Sequence, residues 1–70
     1  MAELPAAGIK RLLTKHGSDL RTSGSAVDLA VQAAEEYVAR LAQEAAASAH
    51  KERRKTIMDA DIQKAREVVG

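Results

Sequence analysis

Apolar residues recur along this chain at helical spacing from near its beginning to its end. Ile9, Leu12 and Leu13 share one face of a short helix. Pro5 suits the first turn of that helix, where its missing N–H leaves no bond unmade, and Gly17 stands as its C-terminal stop. Residues 18–22, Ser-Asp-Leu-Arg-Thr, predict a short extended connection. Ser23 and Ser25 are both candidate N-caps for a second helix, with Asp28 three residues after Ser25 at capping-box spacing. From about residue 25 to residue 51 neither proline nor glycine interrupts the chain. Within that stretch Val27, Val31, Ala34, Val38, Leu41 and Ala45 advance by fours and threes, while Leu29, Ala30, Ala33, Tyr37 and Ala42 widen the apolar face. A charged stretch then breaks the pattern. A third helix is predicted to open at Met58 or Asp59, with Ile62, Ala65 and Val69 in one stripe. The chain therefore reads as all-α, in the order short helix, long helix, short helix.

The long helix bears on quaternary structure. About 26 residues at 1.5 Å each span roughly 39 Å, whereas a compact chain of 70 residues is about 28 Å across. Its apolar face is also wider than two short helices with few large side chains can cover. The alanines allow another helix to approach closely, so the pattern predicts two copies crossing at their long helices. Val31, Ala34, Val38, Leu41 and Ala45 would form the core of that crossing, with Tyr37 packed beside it. Residues 1–70 are expected to make a single domain, near the size limit at which one core suffices.

Charge adds what hydropathy does not show. The net charge is only +1, yet Lys10, Arg11, Lys15, Arg21, Lys51, Arg53, Arg54 and Lys55 supply eight of the eleven cations. Between these two groups Arg40 stands alone against Asp28, Glu35, Glu36 and Glu44. The second group runs directly into Thr56-Ile57-Met58 and then the acidic opening of the third helix. Such a cluster matches phosphate, which Lys and Arg meet by charge-assisted hydrogen bonds with release of counterions. A solvated loop between helices is the plainer reading of any charge run; the segregation of charge favours phosphate.

Several classes fall away. There is no cysteine, hence no disulfide framework and no thiolate metal site. Leu4, Ala6 and Ala7 are too few for a signal-peptide core, and no apolar run approaches a membrane span. Tyr37 is the only aromatic residue, which rules out a base-stacking platform. His16 and His50 lie far apart without ligand spacing, so no metal is expected. Glu35 and Glu36 are helix neighbours that point apart, Glu36 toward solvent or a partner chain, and no nucleophile–base constellation accompanies them. The expectation is no enzyme, no cofactor, no small-molecule substrate and no membrane.

Certain residues carry a resemblance to a known family. Glu3-Leu4-Pro5 with Ile9, Arg11, Leu12 and Leu13, Gly17, Arg21, Glu35-Glu36, and above all Arg54-Lys55-Thr56-Ile57 with Asp61-Ile62, resemble the small archaeal-type histones from residue 3 to about 66. The resemblance implies the histone fold: a head-to-tail handshake homodimer whose first loops pair with the partner's second loops. It also implies roles. Arg21 and the partner's Thr56 would present a guanidinium to the minor groove, Lys55 and Arg11 would meet backbone phosphates, and Arg54 with Asp61 would form an intrachain ion pair fixing the second loop. Shape-reading of a minor groove by arginine accords with general principle, for which the eukaryotic histone octamer, a relative, is the standing example.

The chain departs from the family pattern in three places. One extra residue, Leu20 or a neighbour, lies between Gly17 and Glu35. Arg53 replaces a frequent glycine, so the second loop would begin without its usual helix stop. Ser48 and Lys51 occupy positions often filled by leucine and histidine where dimers meet. That surface, lacking an apolar anchor, would support only weak dimer–dimer association, with Lys51 available to pair with Asp61 of a neighbouring dimer.

The functional expectation is a sequence-tolerant double-stranded DNA-binding architectural protein of the chromosome or nucleoid, in the cytoplasm. Its DNA contacts would be Arg11, Lys15, Arg21, Arg53, Lys55 and Thr56. The alternative is a histone-fold or helical dimerisation module that mainly binds protein, such as a transcription-complex subunit.

Overall fold

The computed structural model describes residues 4–70; Glu3, part of the resemblance, lies outside them. Among the described residues the chain forms three helices, α1 (Ala6–His16), α2 (Gly24–Lys51) and α3 (Asp59–Val69). Two compact units, Met1–Glu35 and Glu36–Gly70, divide it within α2.

In the first unit Pro5 is the N-cap of α1 rather than a residue of its first turn, with extended ψ of 122°, and its carbonyl accepts the Ile9 N–H at 3.3 Å. The helix stops at Gly17, whose N–H reaches the Leu13 carbonyl at 2.7 Å. Glycine is required there for space rather than for φ: a Cβ would lie 2.6 Å from the Leu13 oxygen. The left-handed residues are Ser18 and Asp19, at φ 58° and 61°. Asp19 N–H closes back on the Thr14 carbonyl, as in a Schellman stop, and Leu20 N–H on that of Gly17. The connection is therefore a left-handed turn before it becomes extended. Of the two candidate caps, Ser23 caps α2, its Oγ accepting the Ala26 N–H at 3.1 Å. Val27 and Val31 are buried, and Glu35 accepts the Leu4 N–H at 3.2 Å.

In the second unit the buried residues are Ala45, Ala49, Asp61 and Ala65. The helix stop expected to be missing is present. Arg53 and Arg54 N–H groups bond the His50 and Ala49 carbonyls, both at 2.9 Å, a Schellman motif with Arg53 at φ 58°. An arginine holds a conformation that glycine adopts without steric cost.

Burial also divides the residues assigned to the crossing of two copies. Val31 (3% exposed) and Ala45 (0%) are covered by the chain's own atoms and present no surface to a second copy. Ala34 and Leu41 are half-buried, and Val38 is 52% exposed. The strip open to a partner is thus narrower than the helical stripe, because part of that stripe packs the chain itself. Tyr37 is half-buried.

Candidate nucleic-acid interface

The second loop is organised around one buried carboxylate. Asp61, at the third position of α3, is 1% exposed and accepts four hydrogen bonds. Its Oδ1 takes the Ser48 hydroxyl at 2.6 Å and Arg54 Nη2 at 2.9 Å. Oδ2 takes Arg54 Nη1 at 2.7 Å and the Met58 backbone N–H at 2.8 Å. The last bond satisfies an N–H at the start of α3, where negative charge is also favoured by the helix dipole. Buried charge is costly unless paired and hydrogen-bonded, and here each oxygen has two donors.

Arg54 is equally committed. Nη1 also donates to the Thr56 carbonyl at 3.1 Å, and Nη2 to Glu52 Oε2 at 2.7 Å. With the two bonds to Asp61, all four Nη hydrogens have acceptors. Arg54 first, then the Ser48 hydroxyl and the Met58 N–H, hold the Asp61 carboxyl well below the usual carboxylate range. Asp61 and Glu52 in turn raise the Arg54 guanidinium above its ordinary value, and Arg54 lowers Glu52. The structure therefore brings Arg54 and Asp61 together and turns Arg54 inward, as a brace on the loop backbone at Thr56. Arg53, Lys55 and Thr56 remain exposed on the same loop.

In the first unit Arg11, Lys15 and Arg21 are exposed, Arg11 and Lys15 being four apart on one face of α1. His16, His50 and Glu36 are exposed as well. Among the described residues no three His, Cys, Asp or Glu side chains gather as metal ligands, and no helix is long and apolar enough to cross a membrane.

Ser48 and Lys51 have different circumstances from those expected. Ser48 spends its hydroxyl on Asp61 within the chain. Asp61 is too buried to pair with Lys51 of a neighbouring dimer, so that contact is withdrawn. Both residues line a groove of about 260 Å³ with Glu44, Ala47, Lys64, Ala65 and Val68. Val68, 66% exposed, supplies that surface with the apolar side chain it was expected to lack.

Sequence reasoning missed Ser48 as a donor and Glu52 as a second acceptor for Arg54. The first had no signal in the sequence, since Ser48 and Asp61 meet only when α2 and α3 pack. The second was legible as an acid two residues from an arginine on a tight loop.

The chain is short–long–short in its helices, and the ion pair of Arg54 with the buried Asp61 braces a loop that exposes Arg53 and Lys55. Residues 2–65 match the family described as histone-like transcription factor (CBF/NF-Y) and archaeal histone, and the chain belongs to it. The fold is accordingly the histone fold, all-α. The family is a non-enzymatic one of DNA-binding and structural proteins, which implies association with the chromosome. No solved structure matches the chain.

Proposed function

We propose that this chain is a sequence-tolerant architectural protein of double-stranded DNA, acting as a handshake homodimer in the nucleoid. The observation that carries the reading is the division of labour in the second loop. Arg54 is consumed by Asp61, Glu52 and the Thr56 carbonyl, while Arg53, Lys55 and Thr56 face solvent. A loop braced from inside and cationic outside is suited to phosphates. In the handshake that the family implies, Arg21 of one chain would stand beside the partner subunit's loop, completing a minor-groove contact.

Homodimerisation is supported by the poverty of the core. Among the described residues, three of the five buried apolar side chains are alanines, whereas Leu12, Leu20, Leu29, Val38, Ile57, Met58 and Val68 are about half exposed or more. Dimers would associate with one another weakly, through the groove beside Val68, and would bend or coat DNA.

Gel-shift titration on random duplex DNA at two salt concentrations tests the function. With about six phosphates neutralised per dimer, affinity falls roughly a thousandfold between 50 and 200 mM salt, with little dependence on sequence. A flat salt response would favour a module that mainly binds protein.

A further inference from the structure

We propose that Met58 is an apolar wedge that enters a flexible base step of duplex DNA and kinks it; this rests on the DNA-binding reading above. Met58 is the N-cap of α3, a position that Ser, Thr, Asp or Asn ordinarily holds, and its side chain makes no capping bond. Asp61 supplies the polar half of the cap instead, its Oδ2 accepting the Met58 N–H at 2.8 Å. The thioether makes no bond at the helix start, and Met58 is 52% exposed.

A wedge needs a fixed base, and the Met58 backbone has one. It is extended, at φ −107° and ψ 169°. Its carbonyl accepts the Asp61 and Ile62 N–H groups at 2.9 and 3.3 Å, while Asp61 holds its N–H. Two residues earlier, Arg54 Nη1 holds the Thr56 carbonyl at 3.1 Å. The backbone is thus tied to the buried Asp61 carboxylate directly at Met58 and through Arg54 at Thr56. A push on the side chain is carried into that network rather than absorbed by a pliant loop.

The surroundings select the partner. Arg53 and Lys55 are exposed on the same loop, within five residues of Met58, and cations there hold a phosphate backbone against the thioether. Extended backbone at Met58 sends the side chains of Ile57 and Asp59 to the side opposite its own. That keeps the Asp59 carboxylate away and leaves Met58 a single apolar point. Contiguous apolar patches mark protein or lipid contacts. A single apolar side chain beside cations matches instead the Met, Leu, Ile and Phe wedges of minor-groove proteins, which partly unstack a step and bend the duplex by roughly 20–90°. Pyrimidine–purine steps such as TA kink most easily, so the wedge reads deformability and leaves the protein tolerant of sequence.

The test uses the full chain with Met58→Gln and Met58→Leu, on short duplexes that carry either a TA step or a stiff AA step at the centre. In each duplex 2-aminopurine replaces the second base of that step. The parent raises the fluorescence of the TA duplex and prefers it over the AA duplex by about threefold to tenfold. Met58→Gln, similar in length but polar, loses both the rise and the preference. Its melting temperature and salt slope stay at parental values, since no charge is removed. Met58→Leu, apolar like the parent, keeps both. An unchanged rise and preference in Met58→Gln would overturn the proposal. So would a Met58→Gln protein that melts lower or dissociates, because the thioether would then be covered within the protein or its dimer. If the parent binds duplex with a steep salt slope but leaves the 2-aminopurine stacked, the wedge alone is wrong. If the parent does not bind duplex, both the wedge and the DNA-binding reading are wrong.

Discussion

Replacing Ser48 with alanine isolates the bond on which the second loop and α3 converge. The hydroxyl donates to Asp61 Oδ1 at 2.6 Å, within the short range of charge-assisted O–H···O⁻ bonds. Asp61 is 1% exposed, so bulk water has little access to replace the lost donor. A hydrogen bond to a charged group contributes about 1.5–3 kcal/mol, and alanine's better helix propensity returns up to about 0.5. The net loss is about 1–2.5 kcal/mol, against roughly 3.5–10 for a whole chain of this size. At about 4–8 °C per kcal/mol the melting temperature falls by roughly 4–20 °C. Circular dichroism melts at neutral pH measure this, with Ser48→Thr, which keeps the hydroxyl, expected to melt near the parent.

The same bond leaves a mark on the acid side. Folding lowers the Asp61 pKa, first through Arg54 and then through Ser48. A carboxylate lowered in this way contributes its full stability above the unfolded value, about pH 4, and loses it as pH falls toward the depressed folded value. Ser48→Ala moves the folded value back up, so the gap between parent and variant narrows as the pH drops through the variant's carboxyl. Equal melting temperatures at neutral pH, or a gap independent of pH down to strong acid, would refute the reasoning. Ser48→Leu, which sequence alone commends as an apolar anchor for stacking dimers, carries the same loss in every chain, and only an assembled stack offsets it.

Arg53→Gly relieves a left-handed arginine and should stabilise the chain by up to about 1 kcal/mol while weakening duplex binding, so melting temperature and affinity move in opposite directions. Glu52→Gln removes an exposed carboxylate that holds Arg54 Nη2; duplex affinity rises several-fold and the melting temperature barely changes, since exposed pairs contribute little. A fall in both would make Glu52 a structural residue. Val38→Lys sets an ammonium on the exposed part of the apolar stripe, where it costs an isolated chain little but a dimer several kcal/mol; sedimentation should show dissociation, and an unaltered dimer would exclude Val38 from the contact.

Helix order was legible in the sequence because it rests on local rules: apolar spacing, a serine cap at Ser23 or Ser25, Gly17 as a stop and acids opening α3. Those effects act over one turn and need no knowledge of neighbours. The basic loop was legible for the same reason, since Arg53, Arg54 and Lys55 are contiguous. Which of those cations is free to meet a ligand was decided by tertiary structure. Ser48 and Asp61 lie on different helices, and only the packing of α2 on α3 buries the carboxylate that draws Arg54 inward. Packing likewise divided the apolar stripe, covering Val31 and Ala45 and leaving Val38 open, a distinction invisible to periodicity because all three occupy the same helix face. The stop at Arg53 was a further case. Backbone hydrogen bonds from residues 53 and 54 outweigh the steric preference against a left-handed arginine, and composition alone records only the preference.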